Sequence, residues 1–170
     1  GDFQIPEGFY EIDRFNPKSD FHMSMGIDYP NKADRIRSNA ENPGNNIFIH
    51  GSCVTVGCIP VGDELIQDLY IMTVEAINAG YTEVTVHIFP FRMTEANFTK
   101  IKKEHPEKYG EYESLWRSMQ PAFQTFEEYY LVPDISIDDQ GQYVVEPLEE
   151  DTGYKLPAKE VDPSKASVKP

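Results

Sequence analysis

The sequence predicts a single domain, mostly β with helical additions (α+β). Three observations carry that expectation. Short stretches of alternating apolar and polar residues, separated by Asn, Pro and Gly clusters, fill the first third of the chain. One segment, Gly62 to Gly80, switches to helical spacing. A charged, aromatic-rich stretch from Thr94 to about Tyr130 has helix-like composition.

The first strands are read in "FYEIDRF", "FHMSMGID" and "NIFIHG". Alternation in the second puts Phe21, Met23, Met25 and Ile27 on one face and His22, Ser24 and Gly26 on the other. In the third, Ile47 and Ile49 oppose Phe48 and His50. The helix in "GDELIQDLYIMTVEAINAG" places Leu65, Ile66, Leu69, Met72, Ala76 and Ile77 at helical spacing, with Asp63 and Glu64 in its first turn and Gly80 as its stop. "EVTVHIF" returns to strand, with Val84, Val86 and Ile88 opposing Thr85, His87 and Phe89. The stretch after Thr94 is expected to break at Pro106 and again at Pro121, and to dock through Trp116, Phe123, Phe126 and Tyr130. "DISIDDQGQYVV" reads as a hairpin around Asp138-Asp139-Gln140-Gly141. From Pro147 apolar residues thin out, so residues 1–146 are expected to form the domain and 147–170 a tail that is poorly ordered or packed back on it.

Composition narrows the function. At 170 residues, 39% hydrophobic and 12% aromatic, the chain can bury a substantial core. Its 15 basic and 29 acidic residues give a net charge of -14, which repels nucleic-acid phosphates and anionic lipid. No apolar run approaches the roughly 20 residues that span a bilayer. The chain opens "GDFQIPEG" without Met or a signal-peptide pattern, and Gly1 reads as a processing scar that says nothing about compartment. The run "KIKKEHPEK" reads as a solvated helix face.

Both cysteines lie in "IFIHGSCVTVGC", with His50. A zinc site would draw on His50, Cys53 and Cys58, with His87 as a possible fourth ligand, but the paired short spacings of a structural zinc are missing. A Cys53–Cys58 disulfide would close a short loop and sequester any nucleophile. Two buried thiols would be ordinary small apolar residues. The remaining reading is a thiol nucleophile: Gly57 precedes Cys58 in a turn starting at Thr55, and His50 ends a strand upstream, where the chain can loop back to bring imidazole to thiol. Spacing alone leaves these readings open.

The residues His50-Gly51 followed by Thr55-Val56-Gly57-Cys58 resemble the signature of the L,D-transpeptidase (YkuD-like) catalytic domain, and the short His50–Cys58 interval resembles its YafK-like branch. "IPEGFYEID", "FHMSMGIDYPN" and "VHIFPFRM" match that branch in order, and the likeness continues through "SLWRSMQPAFQTFEEYY" to the hairpin. The resemblance implies a YkuD-like β-sandwich that transfers acyl groups on peptidoglycan stem peptides, in the periplasm or cell envelope, without cofactor or metal. By the same likeness Cys58 is the nucleophile, His50 its general base, and the Gly51 carbonyl the group that orients the imidazole. The amides of Val56, Gly57 and Cys58 would form the oxyanion hole. The acceptor would be a second stem, a wall-attached lipoprotein or water, so hydrolysis of protein-to-wall crosslinks competes with transfer. A domain that binds peptidoglycan without turnover is the alternative from another class. Many relatives carry a His directly before the Gly-Cys and an Arg two residues after the Cys; here those positions are Val56 and Pro60. His22 or Arg92 is expected to take over substrate binding. Competing readings make His22 solvent-facing, His87 structural, Arg92 an ion-pair partner, Tyr29 and Pro30 turn formers, and Cys53 a buried small residue.

Overall fold

The computed structural model describes residues 4–38 and 43–148, so the expected tail from 149 onward lies outside the described residues. The strands are β1 (Gly8–Asn16), β2 (Ser24–Ile27), β3 (Phe48–His50), β4 (Ile59–Pro60), β5 (Thr85–Ile88), β6 (Ile135–Ile137) and β7 (Tyr143–Val145). The helices are α1 (Lys32–Arg37), α2 (Asp63–Asn78), α3 (Glu95–Glu104) and α4 (Pro106–Tyr129). Five strands pair in the order β4-β3-β2-β1-β5, and β6-β7 make a separate two-stranded ribbon. The fold is α+β, as expected. The weight lies elsewhere than expected, since helical residues outnumber strand residues among the described residues.

One reason is that α4 runs through Pro121 instead of stopping there. Pro121 removes one helical donor, but Trp116, Met119, Gln120 and Ala122 are all buried around it, and that packing holds the helix on its path. The break at Pro106 is real: His105 ends α3, and Pro106 opens α4 at the position where a missing N–H costs least.

The five-stranded sheet is covered on both faces, which follows from the alternation in β1 and β5. Phe9 pairs with His87 and Tyr10 with Val86, so the two sets of side chains leave on opposite sides. On one side Phe9 joins Phe98 of α3 and Tyr109, Trp116 and Met119 of α4. On the other, Tyr10 joins Met25, Ile27, Ile47, Ile49 and Ile66. Helix α2 meets this second core along a narrower stripe than its pattern predicted. Ile66 and Thr73 are buried, with Leu69 and Tyr70 partly so, whereas Leu65, Met72 and Ile77 are exposed. The strands it meets, β2 and β3, are only four and three residues long, and the stripe of Ile66, Leu69, Tyr70 and Thr73 suffices to cover them. Of the docking aromatics, Trp116 is buried and Phe123 packs on the core, but Phe126 and Tyr130 stay exposed.

Helix α1 begins at a capping box in which Asn31 and Asp34 bond each other's backbone amides. Asp34 Oδ1 also accepts from the Tyr10 hydroxyl at 3.2 Å. Burial pushes this carboxyl up to about 6 from its ordinary 3.8, so it binds its proton more tightly folded than unfolded. Its contribution to stability is therefore fullest below about pH 4 and declines as the pH rises to about 6, by on the order of 3 kcal/mol. Urea melts across that window should show Asp34→Asn losing the decline; an unchanged slope would remove Asp34 as its source.

Candidate active site

The pairing of β3 with β4 is parallel, matching Ile49 to Ile59 and His50 to Pro60. Residues 51–58 therefore leave the end of β3 and return beside its start, and Cys58 arrives at the entrance to β4. This arrangement brings together what the sequence separated. His50, Thr55, Val56 and Cys58 line one cavity of about 470 Å³ with Phe21 and Ser24. A larger hollow of about 590 Å³ lies against Glu11, Asp28, Glu83 and Asp134; it contains neither cysteine nor His50.

His50 is 3% exposed and packs its ring against Phe21, with centroids 4.8 Å apart. Its Nδ1 lies 2.6 Å from the Gly51 carbonyl oxygen. A carbonyl only accepts, so Nδ1 carries the proton and Nε2 of the neutral ring presents its lone pair. That lone pair faces the Thr55 hydroxyl at 3.4 Å. The same Thr55 oxygen accepts from the Cys58 amide at 3.1 Å. The Cys58 thiol points to the Asn46 carbonyl, 3.9 Å away, so reaching Nε2 requires the sulfur to rotate about Cα–Cβ. Thr55 thus ties the imidazole to the turn that presents the cysteine. The sequence marked it only as the start of that turn, three residues before Cys58.

The turn itself depends on Gly57, whose φ of 83° lies in the left-handed region. Of the three amides expected to stabilise an oxyanion, that of Cys58 is engaged by Thr55, whereas those of Val56 and Gly57 make no hydrogen bond among the described residues. Val54 and Val56 are exposed and give the cavity an apolar rim.

The other expected residues fall outside this cluster. His22 is in a turn, at φ 68°, and not on a strand face; β2 begins only at Ser24, because Met23 also has positive φ. The His22 Nε2 accepts from the Gln67 amide at 2.6 Å. Arg92 is ion-paired with Glu127 and lies over the Phe123 ring, on the α4 side of the sheet. Neither lines the cavity. Among the described residues the carboxylate that lines it is Asp20, which sequence reasoning did not single out. His87 is held among Phe9 and Phe89, and burial pushes its pKa down. Cys53 is exposed, contrary to its expected burial, because it lies in the 51–58 loop beyond the core. Both cysteines are free, and among the described residues no three His, Cys, Asp or Glu side chains converge as a metal site.

No family model matches the chain. Two relatives do: "Putative L,D-transpeptidase YafK" of Escherichia coli (strain K12) and its counterpart in Escherichia coli O157:H7, each 35% identical over 147 residues. The match covers 85% of this chain and 56% of each relative, so the chain spans a little over half their length. The solved structure of Bdellovibrio bacteriovorus Bd1075 is a distant neighbour, with a TM-score of 0.39 and 18% identity over 86% of this chain and 65% of that one. Over those 147 residues the chain is similar to a YafK-like L,D-transpeptidase domain.

Gly51 admits no side chain. A Cβ there would lie 2.6 Å from the Phe21 carbonyl oxygen and 2.7 Å from Asp63 Oδ1. Gly51→Ala is expected to lower stability by about 1–3 kcal/mol through overpacking, measured by denaturant unfolding, and to slow labelling of Cys58. A variant as stable as the parent would mean that the loop can move aside.

Proposed function

We propose that residues 1–146 form a cysteine-dependent L,D-transpeptidase that acts on peptidoglycan stem peptides through a thioester. The observation that carries this reading is His50: a buried imidazole with Nδ1 anchored on a carbonyl and its Nε2 lone pair directed at the Thr55–Cys58 turn. In this reading the donor is a tetrapeptide stem. Cys58 rotates away from the Asn46 carbonyl and gives its proton to Nε2, and sulfur attacks the carbonyl carbon of the third residue, a diamino acid. The amides of Val56 and Gly57 receive the oxyanion, joined by that of Cys58 once it releases Thr55. As the C–N bond breaks, the imidazolium returns the proton to the departing amino group, and D-Ala leaves. An acceptor amine then attacks the thioester, with His50 again taking a proton, and a new amide forms as the thiol is regenerated.

Water resolves the same intermediate, giving a carboxylate and making the enzyme a hydrolase. The two outcomes share every residue named and differ only in what enters the cavity. A wall-attached lipoprotein amine is one acceptor that the reading admits. The substrate places the work in the cell envelope, after export; no helix among the described residues is long and apolar enough to cross a membrane. The same reading takes the five-stranded sheet as one layer of a YkuD-like β-sandwich. The reading gives His22 and Arg92 no step in the reaction: His22 bonds Gln67 beside Gly51, and Arg92 pairs with Glu127.

Mass spectrometry of tetrapeptide stems incubated with the protein tests this. Release of D-Ala is expected, with a crosslinked product when an acceptor amine is supplied. Cys58→Ala should abolish release and Cys53→Ala should leave it substantial. No release from a folded, reduced protein would favour a domain that only binds the wall, and equal loss in both cysteine variants would favour a redox pair.

A further inference from the structure

We propose that Asp63 is a positioning residue for His50, acting through the Gly51–Ser52 peptide group. This rests on the reading of His50 as the base for Cys58. Both ends of that one amide plane are engaged. Its carbonyl accepts from His50 Nδ1 at 2.6 Å, and its N–H donates to Asp63 Oδ1 at 2.6 Å. A carboxylate bonded to an amide N–H draws the peptide toward its charge-separated resonance form, which enriches the carbonyl oxygen in electron density. That oxygen then holds the Nδ1 proton more strongly and favours the imidazolium that forms when Nε2 takes the thiol proton. Asp63, itself exposed at the start of α2, would thus serve His50 as a triad carboxylate does, with a peptide group interposed.

Three further features point the same way. Ser52 is held at φ 61°, a conformation costly for a residue with a side chain, so the peptide plane is fixed against its own preference. The Ser52 carbonyl accepts from Gly62 N at 3.1 Å and that of His50 from Val61 N at 2.9 Å, tying both ends of the turn to the segment that leads into α2. Asp63 is the first residue of α2, where the helix dipole favours a negative charge. The titratable groups near it are Glu64 on the same helix, His50 across the peptide, and His22, whose Cβ crowds the same face of Gly51 as Asp63 Oδ1. Asp63 makes no ion pair among the described residues. With the Phe21 carbonyl oxygen, the carboxylate also occupies the space that a Cβ at Gly51 would need.

A loop-holding role alone predicts a different outcome from a role in tuning the base, and the pH dependence of Cys58 labelling separates them. The experiment uses the full chain carrying Cys53→Ser, with iodoacetamide as probe. Asp63→Asn keeps the size and an acceptor oxygen but not the charge. It should label about tenfold more slowly near neutral pH, the size of one charge-assisted hydrogen bond. Above about pH 10, where hydroxide and not His50 removes the thiol proton, its rate should rejoin that of the parent. Slowing at every pH, or no slowing at any, would overturn the proposal. Should Asp63→Asn not fold, Asp63→Ser, which keeps a small polar side chain at the first position of α2, gives the same comparison. A parent that labels no faster than His50→Ala near neutral pH would instead bring down the reading of His50 as base.

Discussion

Parallel pairing between β3 and β4 forces residues 51–58 to close on themselves, and nearly every property of the site follows from that closure. Two register pairs, Ile49 with Ile59 and His50 with Pro60, fix where the loop begins and ends. Within that span the chain must turn twice, at Ser52 and at Gly57, each with positive φ. The first turn aims the Gly51 carbonyl at His50 and the second presents Cys58. Without the pairing, imidazole and thiol would sit on neighbouring segments with nothing to set their distance.

The surroundings stabilise the closure from both sides. Below it, Ile47 and Ile49 are buried against Ile66 of α2, so the strand carrying His50 is anchored by the same core as the helix carrying Asp63. Beside it, Phe21 covers the imidazole, and β2 pairs Ser24 with His50. The aromatic core around Trp116 lies on the other face of the sheet and holds Arg92 there through Glu127 and Phe123. The catalytic reading therefore draws on both faces at this end of the sheet: Ser24 and His50 leave it opposite Met25 and Ile49, whereas Asp63 belongs to the helix packed on the Ile49 side.

Much of this was legible in the sequence where one principle dominates. Alternation in "EVTVHIF" told the two faces of β5 apart, and Pro106 marked a helix start. The α2 segment was clear as a helix, but its buried stripe was not, because exposure of Leu65 and Met72 depends on the shortness of the strands it meets. Pro121 misled because local propensity lost to the burial of its neighbours. His22 looked like a strand residue because the alternation of "FHMSMGID" continues past the point where positive φ at His22 and Met23 ends β2. The His50–Cys58 interval was legible through family likeness; the roles of Thr55 and Asp63 were not, since a hydroxyl in a turn and an acid at a helix start have ordinary local explanations. Only the hydrogen bonds to His50 Nε2 and to Ser52 N separate these residues from those explanations.

The central claim is that His50 makes Cys58 a nucleophile. Intact-mass measurement after exposure to a carbapenem, a mimic of the donor acyl group by family likeness, tests it most directly. The account predicts one adduct on Cys58, forming roughly two to four orders of magnitude more slowly in His50→Ala and at the same residue. A folded, reduced protein that forms no adduct with several carbapenems, or that forms it equally fast without His50, would contradict it.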